Sequence, residues 1–448
     1  MSKRLLIIDN ASNCLDMAMR AQLAGWQVRW YDKTRPDGTP RLAGRGIVEK
    51  IDDFNELRRK WIDWADLIYL PDNVYYLDML EPYRKQGYPI LAPSVAAAEL
   101  ELDRAAGQKA MASVGIPVME SREFHDYDDA IAFVKKHPQF LVSKPSGDAN
   151  KALSYVASDP ADLCYMLERW KKRPDLKTAA RSEGFILQER KYGIEMAVGG
   201  WYGPGGWSQW FYENWEYKKL MVEDLGVATG EMGTLSRMVK RSKLAEQVLL
   251  PIAPVLDKLG YVGYIDNNCI IDSDGPWPME WTMRDGWPSK HNVTAHVKND
   301  DPIQWMLDLL NRQDTMECTE GEVCVSVLIA LPDFPYSKIT NKDLCGIPIR
   351  GADDMEHIHL SEAMIGEAPT MVGDKVVAMP GLVTCGDYTM VVTGTGDTIT
   401  SARRSAYSAV KKVKIPNSPF YRTDIGMGRM KKQLPELHKL GYAKGLEF

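Results

Sequence analysis

The stretch GYVGYIDNNCIIDSDGPWPMEWTMRDGWPS, residues 260–289, decides the fold of this chain. Its first half alternates apolar and polar residues, so Tyr264, Asp266 and Asn268 share one face of a predicted strand. The sequence Asp-Ser-Asp-Gly at 272–275 is typical of a tight turn, and a second short run follows it. The pattern therefore predicts two antiparallel strands joined as a β-hairpin.

Oxygen-bearing side chains are expected to meet across this hairpin. Pairing of its strands sets Asn268 opposite Glu280 and puts Thr282 on the same face as Glu280. A carboxylate flanked by amide and hydroxyl oxygens is the chemistry that holds Mg²⁺. Arg284 follows two residues later, where a guanidinium can hold a phosphate or a carboxylate in bidentate fashion. A plain surface hairpin with an acidic residue is the alternative.

Length and composition limit the classes of protein. A chain of 448 residues is expected to form roughly two to four domains. Its formal net charge of −6 argues against a general nucleic-acid binder, whose surface is basic. No apolar run approaches the ~18 residues of a membrane span, and the short first run, LLII, indicates a buried strand rather than a secretion signal. Seven scattered cysteines without a CxxC pair fit reduced thiols, so a cytoplasmic location is expected.

Residues 1–115 are predicted to form a doubly wound α/β domain. Short apolar runs of the parallel-strand type alternate with helical patterns, at 5–8, 15–23, 26–31, 55–62, 66–70, 76–83 and 89–91. Ligands of such sheets bind beyond the carboxyl ends of the strands, here at Asp9–Ser12 and Pro71–Asn73. The first segment is not a glycine-rich phosphate loop, so no dinucleotide site is predicted. One long helix is expected over Val95–Val114.

Residues 116–320 carry the candidate phosphate-binding residues. Lys144 ends a predicted strand, and the polar loop after it contains Gly147 and Lys151. Backbone N–H groups and ammonium groups of such a loop can bind nucleotide phosphates, although a solvated turn is the alternative. The glycine-spaced loop 229–234 has no local reason for its flexibility.

Three further patterns complete this central region. Gln188 and Glu189 end a second predicted strand, and Glu195 follows it. The aromatic stretch 201–219 is expected to form a twisted sheet whose rings pack on one another, with a pocket for a flat ligand as the alternative. One amphipathic helix is predicted over Leu244–Leu259.

Residues 321–448 are predicted to form a C-terminal α+β domain. Strands are expected at 323–331, 355–360, 375–377 and 388–393. Apolar residues at the spacing of one helix face then recur from Ile399 to Val413.

The order of these segments resembles the ATP-grasp ligases, and within them the phosphoribosylamine–glycine ligase family. After the α/β domain come a lysine-bearing strand with a small loop, a Gln-Glu strand end, a Thr-Gly-x-Met-Gly loop and a Glu-x-Thr-x-Arg hairpin. The closing segment RTDIG, residues 422–426, is similar to Arg-Lys-Asp-Ile-Gly of the family. The resemblance implies an ATP-grasp fold with an N-terminal doubly wound α/β (pre-ATP-grasp) domain over 1–115. A two-lobed ATP-grasp domain over 116–320 and a C-terminal α+β domain over 321–448 would follow.

The resemblance also implies roles for individual residues, with ATP between the two lobes and Mg²⁺, or Mn²⁺ in its place, on its phosphates. The residues implied to bind ATP are Arg104, Lys144, Gly147, Lys151, Gln188, Glu189 and Glu195. Those implied to hold the metal are Glu280, Thr282, Asn268 and Asp266. Those implied to act on the reacting groups are Arg284, Gly230 and Gly233.

The chain departs from the family pattern where the family holds phosphoribosylamine. The family's Gly-x-Gly-Gly-Arg-Glu-His is Asp9–Leu15 here, without the arginine and without a glycine, and its Gly-Pro-Glu-Ala-Pro is Leu70–Val74. Losing one charge-assisted phosphate contact costs about 1.5–3 kcal/mol, so several losses weaken sugar-phosphate binding severely. Thr282 replaces the metal-binding asparagine, and Glu231 replaces a glycine of the Thr-Gly-Gly-Met-Gly loop.

The activity that the resemblance implies is ATP-dependent joining of a carboxylic acid to an amine through an acyl phosphate. Retained Arg284 and Gly230 favour glycine or another small amino acid as the acid, and the departures favour an amine other than phosphoribosylamine. Two alternatives stay open: a divergent but true phosphoribosylamine–glycine ligase of purine biosynthesis, and an ATP-binding relative without catalysis, which the weaker ligand Thr282 favours. The expected partners are small-molecule acid and amine substrates, not nucleic acid or membrane, with a monomer or a homodimer both open.

Overall fold

A computed structural model of the chain describes residues 2–35, 37–145, 154–336, 342–416 and 419–448. The N-terminal unit has a parallel sheet in the strand order β3-β2-β1-β4-β5. Its elements are β1 (Arg4–Asp9), α1 (Leu15–Leu23), β2 (Gln27–Asp32), β3 (Lys50–Ile51), α2 (Phe54–Glu56), α3 (Ile62–Trp64), β4 (Leu67–Tyr69), α4 (Leu77–Lys85), β5 (Ile90–Leu91), α5 (Val95–Leu102) and α6 (Arg104–Ser113). The apolar run of β1 is buried on both faces, as in parallel sheets covered by helices. The doubly wound α/β prediction is therefore confirmed.

The single helix predicted over Val95–Val114 is wrong, because the chain breaks at Asp103. Asp103 is extended, and its carboxylate accepts the backbone N–H groups of Ala105 (2.9 Å) and Ala106 (3.1 Å). A short acidic side chain that takes backbone donors competes with the helix and starts a new one. The break makes Arg104 the first residue of α6.

A small lobe follows, with an antiparallel sheet in the order β6-β9-β7-β8. Its elements are β6 (Ser121–Phe124), α7 (Tyr127–Lys136), β7 (Val142–Pro145), β8 (Tyr155–Val156), α8 (Pro160–Lys171), α9 (Pro174–Glu183) and β9 (Phe185–Gln188). The helices and the sheet bury a separate apolar core that includes Ile131, Leu163 and Leu187. This lobe is therefore held together by its own interior.

The largest sheet has the strand order β14-β13-β10-β11-β12-β15-β20-β17. Its central elements are β10 (Ile194–Gly203), β11 (Gly206–Glu216), β12 (Gly233–Val239), α10 (Lys243–Val248), α11 (Ala253–Leu259), β13 (Gly263–Asp272), β14 (Gly275–Thr282), α12 (Ser289–His296), α13 (Gln304–Leu310) and β15 (Val323–Ala330). The later elements are β16 (Cys345–Pro348), β17 (Ile358–Leu360), β18 (Ala363–Val372), β19 (Lys375–Cys385), β20 (Tyr388–Gly396), α14 (Ile399–Lys412) and α15 (Arg429–Lys439). Because β12 pairs with β15, the boundary expected at residue 320 falls within one continuous sheet, and the division into domains stays a prediction.

Several predicted elements differ in length from those in the structure, and the strand predicted at 355–360 begins only at Ile358, as β17. The helix predicted over Leu244–Leu259 is interrupted by a 3₁₀ turn at Leu250–Ile252, because Pro251 and Pro254 lack the N–H groups that a continuous helix needs. The strand predicted at 375–377 extends to Cys385 as β19. The prediction of one continuous helix was wrong because these prolines lie within an otherwise amphipathic pattern.

The sheet carries packed aromatic rings, as the sequence predicted. Tyr202 and Trp207, both within the predicted stretch, have ring centroids 5.0 Å apart. Trp201 on β10 also lies 5.1 Å from the ring of Tyr264 and 5.6 Å from the ring of Trp305, between ring centroids. The rings are tilted or perpendicular, which are the favoured arrangements for aromatic pairs.

Buried polar contacts join the N-terminal unit to the strand β17. The Oδ2 atom of Asp16 on α1 lies 2.8 Å from Nδ1 of His359, and Arg20 Nε lies 2.9 Å from Asp16 Oδ1. All three residues are buried or nearly so, and burial lowers the pKa of His359 to about 4. The imidazole is therefore neutral at neutral pH. Among the described residues, no helix is both long and apolar enough to span a membrane.

Candidate active site

The hairpin at the edge of the large sheet brings the predicted oxygen ligands together. Asn268 on β13 lies directly opposite Glu280 on β14, and Asp266 lies opposite Thr282. Residues that face each other across antiparallel strands point to the same side of the sheet. The predicted hairpin and its register are therefore confirmed.

Three cations surround the carboxylate of Glu280. Arg104 forms an ion pair with Glu280, and Lys144 on β7 and Lys218 after β11 are close enough to influence its pKa. Burial raises the pKa of Glu280, but the charges of Lys144, Arg104 and Lys218 outweigh burial and hold it well below its usual range. The Glu280 side chain is still 41% exposed, so the ionised carboxylate is accessible between the small lobe and the large sheet.

Lys144, predicted to neutralise phosphate, lies among side chains of both charges. Burial lowers its pKa to about 8, and the neighbouring charges of Arg104 and Lys218 act in the same direction, against Glu280 and Glu195. An anion placed among these cations would stabilise the charged ammonium group. The arrangement therefore suits a polyphosphate.

Lys218, which the sequence did not single out, connects the predicted residues. Its Nζ lies 2.7 Å from Glu195 and 2.9 Å from Glu216, and Asn268 Nδ2 donates to Glu216 at 2.8 Å. Burial alone would lower the pKa of Lys218, but Glu195, Glu216 and Glu280 raise it well above its usual range. The signal available in the sequence was the spacing of two between Glu216 and Lys218 at the end of a strand.

The remaining predicted ATP contacts lie at the edge of the small lobe or outside the described residues. Gln188 ends β9 and is buried, and its Nε2 donates to no acceptor among the described residues. Glu189 follows it and lies 3.0 Å from Lys191 Nζ. Gly147 and Lys151 lie outside the residues that the structure describes.

Arg284 is anchored by a glutamate that the sequence did not identify as a partner. Its guanidinium lies 3.2 Å from Glu101 on α5 and donates to the Asp285 carbonyl at 2.9 Å. The other oxygen of Glu101 accepts Asn73 Nδ2 (2.8 Å) and the Met283 N–H (2.6 Å). Glu101 therefore ties the arginine to the loop after β4. Sequence spacing gave no signal for this pair, because 183 positions separate its members.

The two predicted glycines of the loop 229–233 have different surroundings. A Cβ at Gly233 would lie 2.4 Å from the Ser326 carbonyl oxygen, so close packing requires glycine there. A Cβ at Gly230 would meet nothing closer than the Trp287 carbonyl oxygen at 3.8 Å, so packing does not explain that glycine. Between them, Glu231 is buried and accepts a hydrogen bond from the Thr234 hydroxyl.

Burial and the Glu216 carboxylate raise the pKa of Glu231 well above its usual range. Burial and the same carboxylate raise the pKa of Asp266 to about 7. The carboxyl groups of Glu216, Glu231 and Asp266 therefore influence one another beside the cations Arg104, Lys144 and Lys218.

Acidic side chains occupy the backbone donors at the ends of β1 and β2. Asp9 accepts the N–H groups of Asn10 (2.7 Å), Ala11 (3.0 Å) and Cys14 (2.9 Å). Asp32 accepts the N–H (3.3 Å) and hydroxyl (2.6 Å) of Ser12. Loop N–H groups at this edge are the usual donors to phosphate. Here they are already used within the chain.

Two basic side chains also lie near this edge, and each is paired with a carboxylate. Lys50 lies 3.3 Å from Asp32, and Arg35 lies 3.3 Å from Glu362. These cations are therefore engaged by buried carboxylates rather than facing an open pocket.

The chain is similar to known ligases in sequence and in structure, although no family model matches it. A phosphoribosylamine–glycine ligase of Ralstonia nicotianae is 25% identical over 365 residues, which cover 78% of this chain and 80% of that protein. The crystal structure of phosphoribosylamine–glycine ligase from Thermotoga maritima superposes with a TM-score of 0.70 and 19% identity, over 94% of this chain and 100% of that chain.

A more distant structure has the same fold. The biotin carboxylase domain of Hydrogenobacter thermophilus 2-oxoglutarate carboxylase, solved with MgADP and bicarbonate, has a TM-score of 0.60 and 13% identity, over 98% of each chain. Together the comparisons confirm the predicted ATP-grasp fold and the resemblance to phosphoribosylamine–glycine ligase, a carbon–nitrogen ligase.

Proposed function

We propose that the chain is an ATP-dependent carboxylate–amine ligase that forms an amide bond through an acyl phosphate. The observation that carries this proposal is the group of three cations, Arg104, Lys144 and Lys218, around Glu280 at the junction of the small lobe and the large sheet. Fixed cations beside an accessible carboxylate suit a nucleotide triphosphate with a divalent cation, because positioning and charge neutralisation dominate phosphoryl transfer.

Oxygen donors on the hairpin fit such a cation. Glu280 presents an ionised carboxylate, and Asn268 opposite it has a buried Oδ1 that accepts no hydrogen bond from the described residues. Glu280 and Asn268 would hold Mg²⁺ or Mn²⁺, with Thr282 and Asp266 as the further predicted ligands. When bound, the ion supplies positive charge to the phosphate oxygens.

The other predicted contacts complete the nucleotide site. Gln188 and Glu189 would meet adenine, and the buried amide donor of Gln188 without an acceptor supports a polar ligand there. Glu195 would bind the ribose hydroxyls. Arg104, Lys144, Gly147 and Lys151 would bind the phosphates.

In the proposed reaction the substrate carboxylate attacks the γ-phosphorus of ATP and releases ADP, which gives an acyl phosphate. The amine then attacks the acyl carbon, loses a proton and releases inorganic phosphate. Arg284, held by Glu101, would neutralise the transferring phosphoryl group or the acid. The loop containing Gly230 and Gly233 would cover the intermediate and limit its hydrolysis.

The acid is proposed to be glycine or another small amino acid, and the acceptor an amine other than phosphoribosylamine. The saturated donors of the loop after β1 support a changed acceptor, because Asp9 and Asp32 take the N–H groups that a sugar phosphate would need. A true phosphoribosylamine–glycine ligase is the second candidate, since the sequence resemblance covers 78% of the chain.

The experiment is phosphate release from ATP and Mg²⁺, with amino acids tested as acids against amines that include phosphoribosylamine. We expect release with a small amino acid and an amine other than phosphoribosylamine. Release only with glycine and phosphoribosylamine would establish the second candidate. No release with any pair, alongside ATP binding, would favour an ATP-binding protein without catalysis and contradict the proposal.

A further inference from the structure

A polar cluster lies further into the sheet than Glu280, on the strands β13 and β11. Asp266 is buried, and its Oδ2 accepts the Tyr264 hydroxyl (2.7 Å) and Asn214 Nδ2 (3.0 Å). Asn268 Nδ2 donates to Glu216 at 2.8 Å. We call Tyr264, Asp266, Asn214, Asn268 and Glu216 the oxygen cluster. Its members come from β11 and β13, on the face of the sheet that also carries Glu280.

Two acceptors in this cluster have no donor. The Oδ1 atoms of Asn214 and Asn268 are buried and accept no hydrogen bond from the described residues. The residues are 1% and 6% exposed. Each amide nitrogen already donates to a carboxylate, which fixes the orientation of each amide, so both oxygens face outward from these bonds. A buried amide oxygen without a donor is costly, and the cluster therefore lacks a hydrogen-bond donor.

No side-chain cation pairs directly with Asp266 among the described residues, since no lysine, arginine or histidine there forms a salt bridge with it. Lys218 pairs with Glu216 and Glu195, and from there its charge lowers the pKa of Asp266 without outweighing burial and Glu216. A bound cation that donates hydrogen bonds would satisfy both deficits at once.

Neighbouring residues leave room for this arrangement. Gly199 on β10 lies opposite Asp266, and a Cβ at Gly199 would lie 2.1 Å from the Tyr264 hydroxyl oxygen. Only glycine therefore lets Tyr264 reach Asp266. Tyr264, alone of the five cluster residues, also lines a cavity that Arg284, Asp285 and Lys290 line.

We propose that the oxygen cluster binds the primary ammonium group of a substrate. This inference rests on the proposed function and gives both Asp266 and Asn268 to a substrate rather than to the metal, for which Glu280 and Thr282 remain. An ammonium group has three N–H donors, and Asp266 with the two amide oxygens supplies three acceptors. Two hydrogen bonds already made to Asp266 Oδ2 favour an organic cation over Mg²⁺, which keeps waters and phosphate oxygens in its shell.

The ammonium group has two possible sources in the proposed reaction. It is either the α-ammonium of the amino acid whose carboxylate is activated, or the amino group of the acceptor before it loses its proton. Tyr264 shares a cavity with Arg284, which would hold the acid, and this favours the α-ammonium source. The chemistry of recognition is the same for both.

The test uses Asp266→Asn, which keeps the shape of the side chain and removes its charge. Asp257→Asn is the matched control, because Asp257 also accepts a tyrosine hydroxyl, that of Tyr202 at 2.6 Å, outside the oxygen cluster. Thermal stabilisation of the full chain by glycine, methylammonium and glycolate is measured at constant ionic strength for the three proteins. We expect glycine and methylammonium to stabilise the wild type and the control, glycolate to have no effect, and Asp266→Asn to lose the response.

Kinetics on the same proteins identifies the source. Loss of a charge-assisted contact is expected to raise the KM of the ammonium-bearing substrate by about tenfold or more and to leave the KM for ATP unchanged within about twofold. A rise in the KM of the amino acid assigns the α-ammonium, and a rise in the KM of the amine assigns the acceptor.

The outcomes separate this inference from the proposed function. Ammonium-dependent stabilisation that Asp266→Asn abolishes, without turnover of any substrate pair, would support the cluster and overturn the ligase. Turnover whose substrate KM values are the same in Asp266→Asn and wild type, with equal stabilisation by glycine and glycolate, would overturn the cluster and leave the ligase standing.

Discussion

The hairpin side of the candidate active site and the N-terminal loop side use their carboxylates in opposite ways. Glu280 faces three side-chain cations and is 41% exposed, so it stays available to a metal ion. Asp9 is buried and accepts three backbone N–H groups. A carboxylate among side-chain cations builds an anion site, whereas one that takes loop N–H groups removes such a site. In the proposed function, the hairpin side would bind the nucleotide, and the loop after β1 would no longer bind a sugar phosphate.

Removing the charge of Glu280 tests the nucleotide side and should have the largest effect. We expect Glu280→Gln to lower turnover by about 10²–10³-fold, because loss of one preorganised electrostatic contact typically costs that much. Phosphate release under saturating Mg²⁺ is the measurement. Glu123→Gln, on the exposed β6 strand, is the control and should retain full activity. Equal turnover and equal ATP affinity in Glu280→Gln and wild type would break the comparison.

Truncating Asp9 tests the loop side. Asp9→Ala leaves the N–H groups of Asn10, Ala11 and Cys14 without their acceptor, so we expect a loss of about 3 kcal/mol in the free energy of unfolding. Urea unfolding measures the loss. The KM for ATP in the folded variant should stay within about twofold of the wild-type value. A large change in that KM without a loss of stability would mean that Asp9 belongs to the nucleotide side.

Arg284→Lys sharpens the boundary between the two sides, because Glu101 ties Arg284 to the N-terminal unit. A lysine keeps the charge but cannot bind in bidentate fashion. We expect kcat/KM for the acid to fall about tenfold, or about 1.4 kcal/mol, with the KM for ATP nearly constant. An unchanged kcat/KM for the acid would remove Arg284 from the reacting groups.

The smallest expected effect concerns the contact between α1 and β17. Burial holds the pKa of His359 at about 4, so below pH 6.5 the unfolded chain binds a proton that the folded chain does not. This group therefore makes stability fall as pH decreases, by about 1 kcal/mol between pH 7.5 and 5.5. The measurement is the difference in unfolding free energy between wild type and His359→Gln at both pH values. An identical difference at the two pH values would contradict a buried neutral imidazole.

The local parts of the site were predictable from the sequence. Alternation and a turn gave the pairing of Asn268 with Glu280, because strand register follows from the turn and the side-chain period. The order of motifs indicated the ATP-grasp fold. Lys144 and Arg104 were assigned by resemblance, and the structure places them beside Glu280.

Long-range pairings were not predictable in the same way. Glu101 meets Arg284, and Lys218 joins Glu195 to Glu216, only because the N-terminal unit and the strands fold against one another. The break at Asp103 depends on a side chain that outcompetes the helix for backbone donors. The sequence likewise did not indicate which backbone N–H groups of the loop after β1 would donate to Asp9.

Positional isotope exchange in ATP labelled at the β,γ-bridge tests the central claim most directly, because it reports acyl phosphate formation without any amine. We expect exchange that requires Mg²⁺ and a small amino acid and that Glu280→Gln abolishes. Addition of phosphoribosylamine should give no amide product. No exchange with any acid, in a protein that binds ATP, would contradict the claim that the nucleotide side is catalytically intact.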